Sequence, residues 1–195
     1  MAKLKVIREG WWRWIERGVS VDVTCTTSYV EDGGHKIIVD VPNAGEEQAL
    51  LEALRAHDID PASIDLVVVT HFHPDHTGCL GLFPNAEYIS HRTRWHGAKY
   101  VRWEDEALPL TDDVYVLKTP GHSDHDCSVI VNTEDGVVAC SGDLWVRGCD
   151  DPRLAVVDDR AQVEASRRRL AGLAKWIVPG HGPMKPSSSA KIELP

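Results

Sequence analysis

β-rich and helix-periodic stretches alternate along the chain. Residues 5–7, 21–30 and 36–41 are rich in Val, Ile, Thr and Tyr, side chains that suit a pleated surface, and Glu31-Asp32-Gly33-Gly34 reads as the hairpin turn between the last two. From 46 to 57, Leu50, Ala53 and Leu54 return at helical spacing, and Asp58-Ile59-Asp60-Pro61 stops the helix. Leu66-Val67-Val68-Val69 follows as an apolar strand. In the second half, 114–117, 128–131 and 137–140 read as strands, with Thr133-Glu134-Asp135-Gly136 as a turn. Residues 158–174 are helical, with Val163, Ser166, Leu170 and Leu173 on one face and Arg167-Arg168-Arg169 beside it; 176–178 is the final strand. Two β-rich halves, each closing on helix then strand, predict an α/β (α+β) chain folded as a four-layer αββα sandwich. One domain spans 1–185, and 186–195, with the run Ser187-Ser188-Ser189, is expected to be a mobile tail.

The chain has 195 residues, enough for a core that needs no disulfide staples. Its five cysteines, Cys25, Cys79, Cys127, Cys140 and Cys149, are odd in number and form no CxxC pair. Cys127 and Cys140 fall inside strand-like runs, where a thiol packs as a small hydrophobe. The opening Met1-Ala2-Lys3-Leu4-Lys5-Val6 lacks the apolar core of a signal peptide, and no stretch approaches the roughly 18 apolar residues of a membrane span. The expectation is a soluble, cytoplasmic protein with no membrane partner. A formal net charge of −9 excludes nucleic-acid binding by bulk electrostatics and leaves open a local basic groove.

Chemistry concentrates at His71-Phe72-His73-Pro74-Asp75-His76, directly after the apolar strand 66–69. Imidazole and carboxylate are ordinary ligands of zinc and its neighbours, and a strand end holds them in fixed mutual orientation. His71 and His73 can face one ion, Asp75 and His76 a second. Three further residues each follow an apolar stretch: His122 in Thr119-Pro120-Gly121-His122, Asp143 in Ser141-Gly142-Asp143, and His181 in Val178-Pro179-Gly180-His181.

The order and context of these seven residues resemble the metallo-β-lactamase superfamily, from about residue 20 to residue 185. The resemblance implies that His71, His73 and His122 bind one divalent metal ion, that Asp75, His76 and His181 bind a second, and that Asp143 bridges them. It also implies the αββα fold, with the metals in the cleft between the sheet edges. Zinc is the redox-inert choice for this ligand set, and iron or manganese fits the same positions.

A water shared by two divalent ions has its pKa lowered from about 16 toward 7, so a bridging hydroxide stands ready for hydrolysis. Asp75 is the candidate catalytic residue that aims it. True metallo-β-lactamases lack a bridging Asp at position 143, so the resemblance implies esters, thioesters, lactones or phosphodiesters rather than β-lactams. Within the superfamily the chain looks most like a small animal subgroup regarded as cutting histone pre-mRNA. The matching residues are Gly81-Leu82-Phe83-Pro84, Asp126 with Ser128-Val129, Ser166-Arg167, and Val178-Pro179-Gly180-His181-Gly182-Pro183; the chain departs at Asp124-His125. Two substrate classes stand: single-stranded RNA cut at its phosphodiesters, and a small-molecule ester, thioester or lactone. A metal-binding protein without turnover is disfavoured, because a structural zinc site closes with four protein ligands.

Residues 90–103 interleave His91, Arg92, Arg94, His96, Lys99 and Arg102 with Trp95, Tyr100 and Trp103, the composition of a single-strand nucleic-acid platform. The competing reading is an ordinary helix and loop whose Trp packs into the core. Trp11-Trp12-Arg13-Trp14 is expected to edge the cleft or to form a homodimer contact. His125, three positions past His122, is a candidate catalytic acid for a leaving alkoxide, against a supporting or solvent-facing histidine. His35, His57, His91 and His96 read as non-ligands.

Overall fold

The central strands are apolar at successive positions, which requires cover on both of their faces. The structure, a computed structural model, describes residues 1–145 and 159–189. Its first half contains β1 (Lys3–Arg8), β2 (Trp11–Glu16), β3 (Ser20–Thr24), β4 (Thr27–Asp32), β5 (His35–Val39), α1 (Glu47–Ala56), β6 (Leu66–Val68), β7 (Glu87–Ile89), β8 (Thr93–His96) and β9 (Lys99–Arg102). The second contains β10 (Ala107–Pro109), β11 (Val114–Lys118), β12 (Cys127–Thr133), β13 (Gly136–Cys140), α2 (Arg160–Leu173), β14 (Trp176–Val178) and β15 (Lys185–Pro186). A seven-stranded sheet has the order β1-β4-β5-β6-β7-β8-β9, a six-stranded sheet the order β10-β11-β12-β13-β14-β15, and β2-β3 is a separate hairpin. β5, β6 and β7 are parallel, as are β13 and β14.

The period of two decides which residue faces which layer. Val39, Val68 and Ile89 of one sheet meet Val116, Val129, Val131, Cys140 and Val178 of the other. Alternate residues turn outward. Ile38 and Val67 pack on Leu50 and Leu54 of α1, and Ile130, Ala139 and Ile177 pack on Val163 and Leu170 of α2. Helix, sheet, sheet, helix is the expected αββα sandwich. Each of Leu50, Leu54 and Leu170 is fully buried, which stabilises the fold by roughly 1.5–3 kcal/mol per side chain.

Residues 21–30 are not one strand. The chain leaves β3 at Thr24 and enters β4 at Thr27 in the other sheet, because the Thr26 N–H donates to Gly180 O at 2.6 Å and the Thr26 hydroxyl to Gly182 O at 3.2 Å. The turn after β4 is as expected, with Asp32 opposite His35 across Gly33-Gly34. Residues 11–14 form strand β2, whose partly buried Trp12 and Trp14 meet edge to face at 4.7 Å. The segment 90–103 is no helix. It forms the edge hairpin β8–β9, turning at Gly97 with φ 54°.

Asp159 caps α2 by accepting the Ala161 and Gln162 N–H groups, which fixes its start at Arg160. Leu173, expected on the buried face, lies at the margin of that stripe and is 40 % exposed; buried Ala174 completes the stripe instead. Residues 186–189, expected within the mobile tail, are tied at their start: Pro186 pairs with Trp176, and the Ser187 N–H donates to Lys175 O at 2.9 Å. Cys25, Cys79, Cys127 and Cys140 are buried free thiols. Cys149, Asp158 and residues 190–195 lie outside the described residues. Among the described residues no helix is long and apolar enough to cross a membrane.

Candidate metal centre

The loops that follow β6, β11, β13 and β14 carry His71 to His76, His122, Asp143 and His181 respectively. Because β13 and β14 run parallel, their C-terminal ends deliver Asp143 and His181 to the same edge of the sandwich. The two loops are joined by the Ser141 N–H donating to Val178 O at 2.9 Å and the Gly180 N–H donating to Gly142 O at 2.7 Å. Glycine is required at 180, where a Cβ would stand 2.0 Å from Asp143 Oδ1.

Two donor sets result, His71, His73, His122 and Asp143 in one and Asp75, His76 and His181 in the other; within each set the donor atoms all lie within 4.8 Å of one another. Asp143 faces both. Its Oδ2 is 3.6 Å from His122 Nε2 and 3.9 Å from His71 Nε2, while Oδ1 is 3.3 Å from His76 Nε2 and 3.2 Å from His181 Nε2. Asp75 Oδ2 lies 3.4 Å from His181 Nε2 and 3.7 Å from His76 Nε2.

These residues fit divalent cations. His71 Nε2 and His122 Nε2 stand 3.0 and 3.1 Å from His73 Nδ1, and ligand atoms about 2.0–2.1 Å from one tetrahedral ion are about 3.3 Å apart. His76 Nε2 and Asp143 Oδ1 are buried polar atoms without a hydrogen-bond partner, an arrangement that is costly unless something else meets them.

The outward nitrogens are fixed by donor accounting. Asp40 accepts the N–H of Thr70 at 2.8 Å and its hydroxyl at 2.7 Å, and it accepts Nδ1–H of His76 at 2.8 Å. With its one hydrogen given to Asp40, the Thr70 hydroxyl must accept Nδ1–H of His71, at 3.1 Å. His181 Nδ1–H donates to Thr24 O at 2.8 Å. Nε2 of all three imidazoles is thereby left facing the cluster. Burial opposes ionisation of Asp143, yet the imidazoles of His76 and His181 outweigh it and hold the carboxyl well below its ordinary range. Burial likewise disfavours charge on His76, but Asp40 and Asp143 raise its pKa well above 6.5. A proton and a cation therefore compete for Nε2 of His76. Burial lowers His71 well below 6.5, with His76 adding to the effect.

All seven residues singled out from the sequence are brought together. His125 is not among them: it is exposed and stacks on His91, ring centroids 5.7 Å apart. Its loop is pinned by buried Asp126, which accepts the Ser123 N–H at 2.7 Å and hydroxyl at 2.6 Å. Burial pushes the Asp126 carboxyl up to about 6, against those bonds. In the hairpin β8–β9, strand alternation separates the basic residues. Arg94 pairs with Glu87, whereas Trp95, on the other face, stacks with Tyr88 and Tyr100. Trp103 is buried, donating Nε1–H to Ser90 O at 2.9 Å. Asp40 and Thr70 are the positions that sequence reasoning missed; a carboxylate between Val39 and Val41 was the available signal, since a buried charge demands partners.

A family model for the Metallo-beta-lactamase superfamily matches residues 21–114. Metallo-beta-lactamase domain-containing protein 1 of Homo sapiens is 40 % identical over 154 residues, covering 75 % of this chain and 58 % of the relative. Its Mus musculus counterpart is 37 % identical over 186 residues, covering 91 % and 72 %. N-acyl homoserine lactonase AttM of Rhizobium radiobacter is 37 % identical over 176 residues, covering 73 % and 67 %. The chain spans about half to two thirds of the length of several curated relatives it matches. Among solved structures, a Thermotoga maritima protein of metallo-beta-lactamase type superposes with TM-score 0.75 at 23 % identity, over 95 % of this chain and 99 % of that one.

Proposed function

The chain belongs to the metallo-β-lactamase superfamily, and from that premise we propose a dinuclear metal-dependent hydrolase of a small ester, thioester or lactone. The observation that carries the reading is Asp143, whose two oxygens face both donor sets. His71, His73 and His122 would hold one ion and Asp75, His76 and His181 the other, with Asp143 between; zinc is the simplest occupant. Two such ions supply Lewis acidity, lowering the pKa of water from about 16 to about 7 and polarising an acyl carbonyl.

The chain's own residues orient the reaction. Asp75, at 13 % side-chain exposure against 8 % for Asp143 and 0 % for His76, would accept a hydrogen bond from the attacking water and direct its lone pair. Asp40, Thr70 and the Thr24 carbonyl lock three imidazoles, so the cluster needs no reorganisation as charge develops. His125, outside the cluster, is assigned the proton that the leaving oxygen takes up. The lactonase relative supports a carbonyl substrate. A cytoplasmic setting and a homodimer belong to the same proposal, the latter supported by Ile15 and Val19, each 72 % exposed in the β2–β3 hairpin.

A second reading, single-stranded RNA, is favoured by one feature. Trp95 stacks on Tyr100 at 6.2 Å and lies 6.3 Å from Phe72, and both partners are open to solvent at 66 % and 56 % exposure. Bases can extend such a row. The deciding experiment loads the protein with zinc, counts ions per chain, and assays a lactone, a thioester, bis-p-nitrophenyl phosphate and single-stranded RNA. About two ions and cleavage of a carbonyl substrate are expected; a protein that carries two ions and cleaves none of the four overturns the proposal.

A further inference from the structure

Beside the metal cluster opens a cavity of about 320 Å³ walled by Phe72, His91, Arg92, Arg102 and His125. Phe72 lies between His71 and His73 in the chain, so this wall is continuous with the loop that carries the donors. Buried His91 forms part of it, 4 % exposed. A carbonyl can only accept, so the 2.8 Å contact between His91 Nδ1 and Asp126 O places the ring hydrogen on Nδ1. His125 stacks over the same ring, on a loop held by Asp126.

The charge in this cavity is uncommitted. Among the described residues no carboxylate pairs with Arg92, and Arg102 meets only Glu104, at 2.9 Å with side chains 70 % and 68 % exposed, a pair that water screens. Arg94, on the opposite face of the hairpin, is by contrast closed on Glu87. Burial lowers the pKa of His91 against the bond to the Asp126 carbonyl, and Arg92, Lys118 and His125 add to the lowering. Arg92 and Arg102 thus present two guanidinium groups to one cavity in a chain of net charge −9.

We infer that this cavity is an oxyanion subsite, in which a carboxylate or phosphate group carried by the substrate binds Arg92 and Arg102. The inference rests on the hydrolase reading and narrows it: the preferred ester is anionic, with its charged group placed away from the scissile carbonyl. Guanidinium groups meet planar oxyanions with paired, charge-assisted hydrogen bonds, which neutral lactones cannot return.

Three acetyl esters test it on the zinc-loaded protein: phenyl acetate, 4-acetoxybenzoate and 4-acetoxyphenyl phosphate. The last two separate carboxylate from phosphate. Arg92→Gln with Arg102→Gln, both at exposed positions, is expected to raise KM for whichever anionic ester is preferred by roughly 10–100-fold while leaving kcat and phenyl acetate hydrolysis within about twofold. In parallel, the imidazole NMR resonances of His91 and His125 are followed as inorganic phosphate is added. Saturable movement that vanishes in the double variant supports the subsite, even if none of the esters is cut, in which case the hydrolase reading alone fails. Hydrolysis of all three esters without preference and without effect of the variant, or phosphate response confined to the cluster histidines, overturns the subsite and leaves the hydrolase standing.

Discussion

Asp40 accepts Nδ1–H of His76 at 2.8 Å from a buried position whose backbone is left-handed, φ 56°. The carboxylate's remaining bonds come from Thr70, two residues past the end of the neighbouring strand, and the Asp40 N–H donates to Val68 O at 2.9 Å. One carboxylate thus ties the orientation of an imidazole to the spacing of β5 and β6. Left-handed backbone is strained for most side chains and least so for Asp, Asn and Gly, so Asn keeps both the turn and the side-chain shape while removing the charge.

Asp40→Asn is therefore expected to fold as the wild type does but to hold metal 10–100-fold more weakly, since partners behind a ligand set its orientation and basicity. Zinc competition against a chromophoric chelator measures this. An affinity within twofold of wild type would show that His76 is oriented without Asp40.

Gly180→Ala must move Asp143, because the new Cβ would sit 2.0 Å from Oδ1 and 2.9–3.0 Å from the Gly142 backbone. Metal content is expected to fall below two ions per chain, with hydrolysis lowered by about 10² or more. Gly172→Ala is the control. Nothing lies within 4 Å of its Cβ in α2, and the substitution should stabilise by about 0.5–1 kcal/mol, read as a raised Tm. Full metal content in Gly180→Ala would remove the steric argument.

The cluster was legible in sequence because each of its loops follows an apolar strand, and the layers were legible because β6 and β13 are apolar throughout and β5 and β12 carry the apolar runs Ile37-Ile38-Val39 and Val129-Ile130-Val131. What was hidden depends on partners distant in the chain. A run such as 21–30 has the same composition whether it stays in one ladder or crosses between sheets, and the crossing is decided by the hydroxyl bond from Thr26 to Gly182, 156 residues away. The aromatic and basic residues of 93–102 suit a helix, a loop or a strand. Only pairing along β7 makes them a hairpin and sends Arg94 and Trp95 to opposite faces. His91 read as a non-ligand and stands outside both donor sets; its burial behind His125 is a tertiary fact with no local signature.

For His125, the assigned role concerns the leaving group. His125→Ala should lower turnover by about 10² or more for esters with alkoxide leaving groups and little for a nitrophenyl ester, whose leaving group needs no proton. Metal content should be unchanged, because the ring is not among the donors. Equal losses on both esters would make His125 a positioning residue.

His91 carries a pH prediction. Burial lowers its pKa below 6.5, against the bond to the Asp126 carbonyl, which raises it. With the folded value depressed, the unfolded chain takes up the proton first as pH falls. The contribution to stability is thus complete above the unfolded pKa of about 6.5 and is lost as pH drops below it. Urea unfolding at pH 7, 6 and 5 should show a steeper fall for wild type than for His91→Gln, which keeps a polar side chain and cannot titrate. Parallel profiles would mean that His91 protonates equally in both states.

Tyr100 separates the two substrate classes. It is 66 % exposed at the end of the row Tyr88–Trp95–Tyr100, so its removal should leave the fold and the metal cluster intact. Stacking of a base on an aromatic ring is worth about 1–3 kcal/mol, so if RNA is the substrate, Tyr100→Ala should weaken binding of a single strand roughly 5–150-fold. Base stacking needs no particular sequence, and the loss should be similar for uridine and adenosine tracts. Hydrolysis of a small ester should not change, because Tyr100 belongs neither to the two donor sets nor to the wall of the Arg92–Arg102 cavity. Fluorescence titration of labelled oligonucleotides and an ester assay on the same preparation decide the matter. Undiminished RNA binding by the variant would leave the aromatic row as a packing feature of the edge hairpin and RNA without its supporting observation.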